Sequence, residues 1–340
     1  MVDICERSRR LLGIPADYKI AILAGSDTAA MECAMWSMLG ARPVDVFAWD
    51  VFGREWMVDI EQHLKLKDQR RFWGEFGTLP DLSQANPDHD IVFTWHGTTA
   101  GVRVPNADWI SDSRTGLVFC DSISAIFAME IPLEKMDVIT WSWQKGMGGE
   151  AQHGMIALSP RAIERLQTYI PAWPLPKIFR MATNGKLNDM LFEGDTLNTP
   201  SMLCVADAED ALAWMEENGG LDFLIERTNR NAAIMWNWIE TTPWVDFLAR
   251  DPATRSTTAH CFRFTAPEIT ALDEPAQRAF VRRIAALLEA EEAAFDIAGH
   301  RDAPPCLRVW TGPTVEASDV EKLLPWLEWA YEIAKGELAA

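Results

Sequence analysis

Met136-Asp137-Val138-Ile139-Thr140-Trp141-Ser142-Trp143-Gln144-Lys145-Gly146-Met147-Gly148-Gly149-Glu150 joins an apolar run to a single lysine and a glycine-rich turn. The apolar part spells a buried strand, and such strands in α/β folds end at the sheet edge that carries chemistry. Lys145 therefore emerges at that edge. Burial there lowers the pKa of an amine and frees it to form an imine with a carbonyl compound. A solvated lysine after a strand has the same local sequence, so other residues must separate the two.

Outward from this stretch, residues 19 to 160 alternate short apolar runs with helical stretches, the pattern of a mainly parallel sheet covered by helices. The runs predict strands at Ile20–Ala24, Pro43–Ala48, Ile91–Trp95, Gly116–Asp121, Val138–Trp143 and Met155–Leu158. Thr28–Leu39, after Gly25-Ser26-Asp27, and the amphipathic Gly53–Leu64 read as helices. Residues 172–200 carry Pro174, Pro176 and Pro200 and read as a long irregular interface loop. Helix is expected from about Cys204 to Thr241. Strands at Thr258–Thr265 and Leu307–Trp310, with helices near 275–290 and 317–336, suit a smaller α+β unit. The expected division is an N-terminal helix and linker over 1–18, a large domain over 19–242 and a small C-terminal domain over 243–340.

At 340 residues the chain can bury a substantial core, and its 48% hydrophobic content is ordinary for a globular protein. The 16 tryptophans are numerous and suit core or interface packing. A net charge of −19 argues against nucleic-acid or anionic-membrane surfaces. With no membrane-length apolar run and no signal-peptide core at Met1-Val2-Asp3-Ile4, a cytoplasmic location is expected. The cysteines at 5, 33, 120, 204, 261 and 306 lack a C-x-x-C pair, so neither a zinc site nor a disulfide framework is expected.

Several segments fit a pyridoxal 5'-phosphate site. Asp121 ends an apolar strand, where a carboxylate can keep a pyridine nitrogen protonated or simply form a turn. Ile123 follows on the same side and can pack beneath the ring, with Phe52 on the opposite face or in the core. Ser26, Asp27 and Thr28 lead into a helix whose free amides suit a phosphate. Asp27 is expected to point away from that phosphate and cap the helix. Thr98 and Thr99, after another strand, are placed either to bond the cofactor or to bond their own turn. No G-x-G-x-x-G or G-x-x-x-x-G-K-[ST] motif competes.

Taken with Ser142-Trp143-Gln144-Lys145, Trp173-Pro174-Leu175-Pro176-Lys177-Ile178-Phe179-Arg180 and Asn198-Thr199-Pro200-Ser201-Met202-Leu203, these segments resemble the phosphoserine aminotransferase family. That is a class V aminotransferase family with the type I pyridoxal-phosphate-dependent transferase fold, and the resemblance runs over nearly the whole chain. It implies that Lys145 is the Schiff-base lysine and proton shuttle, that Asp121 meets the pyridine nitrogen, and that Gln144 assists at the ring. It also implies that Asn198 and Thr199 reach the cofactor phosphate of a neighbouring subunit, giving a homodimer with shared active sites. Arg308, otherwise readable as a surface ion-pair residue, matches the arginine that grips the substrate α-carboxylate. The implied reaction moves an amino group from glutamate to 3-phosphohydroxypyruvate, giving phosphoserine and 2-oxoglutarate.

The chain departs from the family pattern at Ala29, usually glycine, at His96, usually asparagine, at Ser122-Ile123 and at Gly146-Met147. No match is found for the family's N-terminal Ser-Gly-Pro segment and His-Arg pair, and Arg9 and Arg10 are expected on a solvated helix. Loss of that pair opens two alternatives: a class V transaminase for unphosphorylated amino acids, of alanine–glyoxylate or serine–pyruvate type, and a non-catalytic cofactor-binding paralogue. Arg103 and Arg180 are the other arginines considered for a substrate phosphate.

Overall fold

The computed structural model describes residues 1–338. Its main sheet has seven strands: β1 (Lys19–Ala24), β2 (Val44–Ala48), β3 (Gln69–Trp73), β4 (Asp90–Thr94), β5 (Val118–Asp121), β6 (Val138–Ser142) and β7 (His153–Leu158). Their spatial order is β1-β7-β6-β5-β4-β2-β3. Strands β6 through β3 in that order are parallel, and β7 runs antiparallel to both β6 and β1. The six strands expected from apolar runs are all present.

Strand β3 was not expected, because Gln69-Arg70-Arg71-Phe72-Trp73 has no apolar run. It lies at the sheet edge with Arg70, Arg71 and Trp73 exposed, and a contact outside the strand holds it. Buried Asp45 on β2 accepts from Arg70 Nε at 2.7 Å and from the Asn86 amide at 2.8 Å.

Both faces of the sheet are covered, which is why its strands read as continuous apolar runs. Ile20, Ile22, Phe93, Cys120, Ile139 and Trp141 face one core. Ala21, Leu23, Val92, Phe119, Val138 and Ile156 face the other. Helices α1 (Val2–Leu12) and α5 (Met202–Glu217) close the first face. Helices α2 (Asp27–Met38), α3 (Val51–Val58) and α4 (Pro160–Thr168) close the second, and the proline-rich stretch adds Phe179, Met181, Leu187 and Leu191 to it.

Helix α6 (Gly220–Thr241) links this body to a second core. Leu224 near its start packs in the first core, whereas Met235, Trp238 and Ile239 pack against an antiparallel sheet of β8 (Val245–Phe247), β9 (Ala259–Phe264) and β10 (Leu307–Trp310). Helices α7 (Glu274–Ala290) and α8 (Ala317–Leu338) complete that core, where the rings of Trp244 and Tyr331 stack at 3.8 Å. Trp49, Trp95, Trp141 and Trp143 are fully buried, and all six cysteines are free and buried. No helix among the described residues is long and apolar enough to cross a membrane.

Candidate active site

Parallel register aligns Thr94 and Asp121, the last residues of β4 and β5, with Thr140 in the middle of β6. Beyond β6 the chain turns through Gln144 into Lys145, whose φ of 55° lies in the left-handed region. This strained turn sends the lysine back toward the strand ends. Its Nζ lies 5.7 Å from the Trp310 ring centroid on β10. Burial, and then the charge of Arg308, lower the Lys145 pKa, while Asp121, Asp296 and Asp27 oppose them. The net effect favours the neutral, nucleophilic amine.

Asp121 is buried and well partnered: Trp56 Nε1 donates to one oxygen at 3.2 Å and the Ile123 amide to the other at 3.2 Å. Asp27 faces it. The expected capping role for Asp27 is corrected here, because Ser26 is the N-cap of α2 and the Asp27 carboxyl turns inward toward Asp121 and Thr140. Burial first, and then the neighbouring Asp121 carboxylate, raise the Asp27 pKa well above the usual range. Ser26 makes no side-chain cap bond, so the first amides of α2 remain free for an anion. Gly25 supplies the tight entry with φ of 98°, and a Cβ there would fall 2.6 Å from that of Ala29.

One cavity gathers Ser26, Asp27, Thr28, Phe52, Thr98, Asp121, Ile123, Gln144 and Lys145, nine of the residues singled out from sequence. Thr99 does not join them. Its hydroxyl accepts from the Val51 amide at 2.9 Å and its own amide reaches Asp50 at 3.3 Å, so it serves the start of α3. Trp56, Thr94, His96 and Ser124 line the cavity without having been assigned a role from sequence. For His96 a signal existed in its departure from the family pattern. Burial pushes its pKa down to about 3, Nδ1 meets Ser124 Oγ at 2.8 Å, and Nε2 has no partner.

Arg308 lies outside that cavity and lines a second one of about 510 Å³, together with Trp310, Asp296, Thr98 and Lys145. Lys145 and Thr98 border both. Arg308 meets the exposed Asp296 carboxylate at 3.5 Å. Asn198 and Thr199 sit on an exposed loop away from both cavities of their own chain, and the Asn198 amide donates to the Thr199 carbonyl at 3.2 Å. Arg103 donates to the Arg255 carbonyl and Arg180 to the Leu175 carbonyl, so both are engaged with backbone. Arg9 donates to the Pro15 carbonyl and is largely buried, while Arg10 is exposed as expected. His300 packs edge-on against Phe52, with centroids 6.0 Å apart, and Arg301 beside it is exposed.

The residues present fit pyridoxal phosphate. Three buried polar atoms around the first cavity, on Asp27, Thr94 and His96, lack a partner, as expected where a polar ligand completes the hydrogen bonding. An ionised carboxylate has about four acceptor positions, so Asp121 keeps capacity for a protonated ring nitrogen. Free helix amides, flanking Phe52 and Ile123, and a buried amine supply the remaining contacts.

No protein-family model matches the chain. It is 49% identical over 335 residues to the phosphoserine aminotransferase of Methanosarcina mazei, covering 98% of this chain and 88% of that protein. Among solved structures, a phosphoserine aminotransferase of Cytophaga hutchinsonii aligns with a TM-score of 0.78 at 20% identity, over 96% of this chain and 88% of that one. A pyridoxal-phosphate-bound phosphoserine aminotransferase of Trichomonas vaginalis aligns with a TM-score of 0.74 at 16% identity, covering 96% and 86%. The structural likenesses establish the type I fold, and the sequence identity carries the assignment further: this chain belongs to the phosphoserine aminotransferase family.

Proposed function

We propose that the protein is a pyridoxal-phosphate-dependent aminotransferase that exchanges amino groups between glutamate and 3-phosphohydroxypyruvate, yielding phosphoserine and 2-oxoglutarate. The observation that carries this reading is the position of Lys145 on the border of two cavities, one holding Asp121 and the other Arg308. When bound, the cofactor supplies a carbonyl carbon for amine exchange and a ring that withdraws electrons.

The chain's own residues do the rest. Lys145, its pKa lowered by burial and Arg308, would serve as the general base that takes the substrate Cα proton and as the acid that returns it two atoms along, at the cofactor's reactive carbon. Asp121 holds a proton on the ring nitrogen. Ser26, Thr28 and the α2 amides hold the phosphate, while Phe52 and Ile123 fix the ring plane. Thr98 and Gln144 border its edge. Arg308 takes the substrate carboxylate through its planar fork.

The exposed loop around Asn198 and Thr199 supports a homodimer in which this segment enters the partner's site. Met202 and Leu203 are 68% and 72% exposed, and Ile178, Met190 and Leu197 add further exposed apolar surface in the same region of the sequence. A solvated loop rarely keeps such a concentration of large apolar groups. We also read residues 19–242 and 243–340 as large and small domains after an N-terminal 1–18 helix and linker, a division supported by the two separate sheets, with α6 shared between their cores.

Absorbance of the cofactor-loaded protein tests the function. Glutamate and phosphoserine are expected to convert the cofactor to its amine form, with serine and alanine far slower. Conversion by unphosphorylated serine or alanine alone would sink the phosphoserine reading.

A further inference from the structure

Asp27 presents a conflict that the functional reading does not resolve. A carboxylate in the first turn of α2, next to amides that would hold a phosphate, repels that phosphate if it is charged. It also faces a second carboxyl, Asp121, with both groups buried. Two adjacent buried carboxylates sharing one nearby cation are costly, and retaining one proton between them removes the repulsion.

Hydrogen-bond geometry decides where that proton resides. Asp121 receives Trp56 Nε1 and the Ile123 amide, donors that favour its anionic form. Asp27 Oδ1 has no partner, and the remaining groups facing Asp27 are the Thr140 hydroxyl and the Lys145 amine. Behind Asp121, the Cys120 thiol is held neutral by burial, and Asp50 faces Asp121 from the start of α3. None of these offers Asp27 an arginine.

We propose that Asp27 is a positioning residue that stays uncharged, donates its carboxyl proton to Asp121, and so lets the α2 N-terminus accept the cofactor phosphate while Asp121 remains the anion beneath the ring nitrogen. This rests on the cofactor reading above. It gives Asp27 one task at each end of the same ligand.

Binding of pyridoxamine 5'-phosphate tests the idea, because that molecule carries the ring and phosphate but forms no imine with Lys145. Its affinity is measured by absorbance from about pH 6 to about pH 9 for the wild type and for Asp27→Asn, which keeps a donor and cannot ionise. Because Asp27 stays uncharged across that range, the wild type is expected to follow the variant's profile. A wild-type affinity that falls at least about tenfold more than the variant's, as one ionisation per site requires, would overturn the proposal. Asp27→Ser serves if the asparagine variant does not fold. Infrared spectroscopy of the unliganded wild type at about pH 8, where ordinary carboxyls are ionised, is expected to show the carbonyl stretch of a protonated carboxylic acid, and its absence would equally overturn the proposal. If no form binds pyridoxamine phosphate, the cofactor reading has failed, and the infrared band still decides the state of the pair.

Discussion

Lys145 is held by backbone strain, by burial beneath Trp310 and by two charged neighbourhoods of opposite sign. Arg308 pushes its proton off and Asp121 draws it back, so the amine is poised for exchange between two cavities. Borohydride reduction of the cofactor-loaded wild type is expected to fix the cofactor's mass on the peptide containing Lys145. Lys145→Ala should bind cofactor without becoming labelled and lose transamination by several orders of magnitude. Label on another lysine would displace Lys145 from the chemistry. Of the residues around it, Asp121 and Ser26 were legible because each ends or begins an element next to an apolar run. Trp56 was not, since its indole reaches Asp121 across 65 positions of sequence and only the packing of α3 makes the contact.

The elements that carry these residues are tied together by buried ions as well as by apolar packing. Asp90 at the start of β4 is fully buried and takes both Arg165 terminal nitrogens, at 2.8 and 3.1 Å, and the Leu117 amide at 2.8 Å. Three elements, α4, β4 and the entry to β5, meet there. Asp90→Ala leaves the Arg165 charge buried without its partner and is expected to cost about 3–5 kcal/mol, read as a lowered urea midpoint in equilibrium unfolding. A loss under about 1 kcal/mol would place the pair among weak surface bridges. Strand β3 escaped the sequence reading because it is docked through Arg70 on buried Asp45 rather than through an apolar run. Helix α4 was legible: Ser159 caps the Ala162 amide, Pro160 opens it, and Ala162 and Leu166 are buried.

His260 on β9 links the small sheet to the pH behaviour of the protein as a whole. Burial pushes its pKa down from 6.5 to about 3, and Nε2 lies 2.7 Å from Thr311 Oγ1. Between those values the unfolded chain binds a proton that the folded one refuses, so this group makes stability rise as pH rises through the window and fall on acidification. The slope is roughly 1.4 kcal/mol per pH unit. Asp50, raised to about 6, has the opposite sign: its contribution is present in acid and lost as pH climbs from its unfolded value. The comparison of His260→Asn with wild type therefore isolates the histidine, and the variant's relative stability is expected to improve steadily from pH 6.5 downward in thermal unfolding. A constant difference across that range would contradict the assignment.

Assembly is tested at the same scale. Met202→Asp with Leu203→Asp places charge on the exposed start of α5 and is expected to turn a dimer into monomers by sedimentation velocity while leaving the fold's circular dichroism intact. Monomeric wild type, or a dimer indifferent to both changes, would remove the basis for sharing Asn198 and Thr199 between subunits. The sequence by itself determined the alternating pattern of a sheet covered on both faces, the position of Lys145 just beyond the apolar strand β6, and the family resemblance. These are local properties, written in runs of adjacent residues. Only the tertiary structure decided that Thr99 serves α3, that Asp27 turns from the helix cap toward Asp121, and that Lys145 borders two cavities. Each of those depends on groups far apart in the chain meeting in a buried space, where hydrogen-bond satisfaction and desolvation, rather than local pattern, select the geometry.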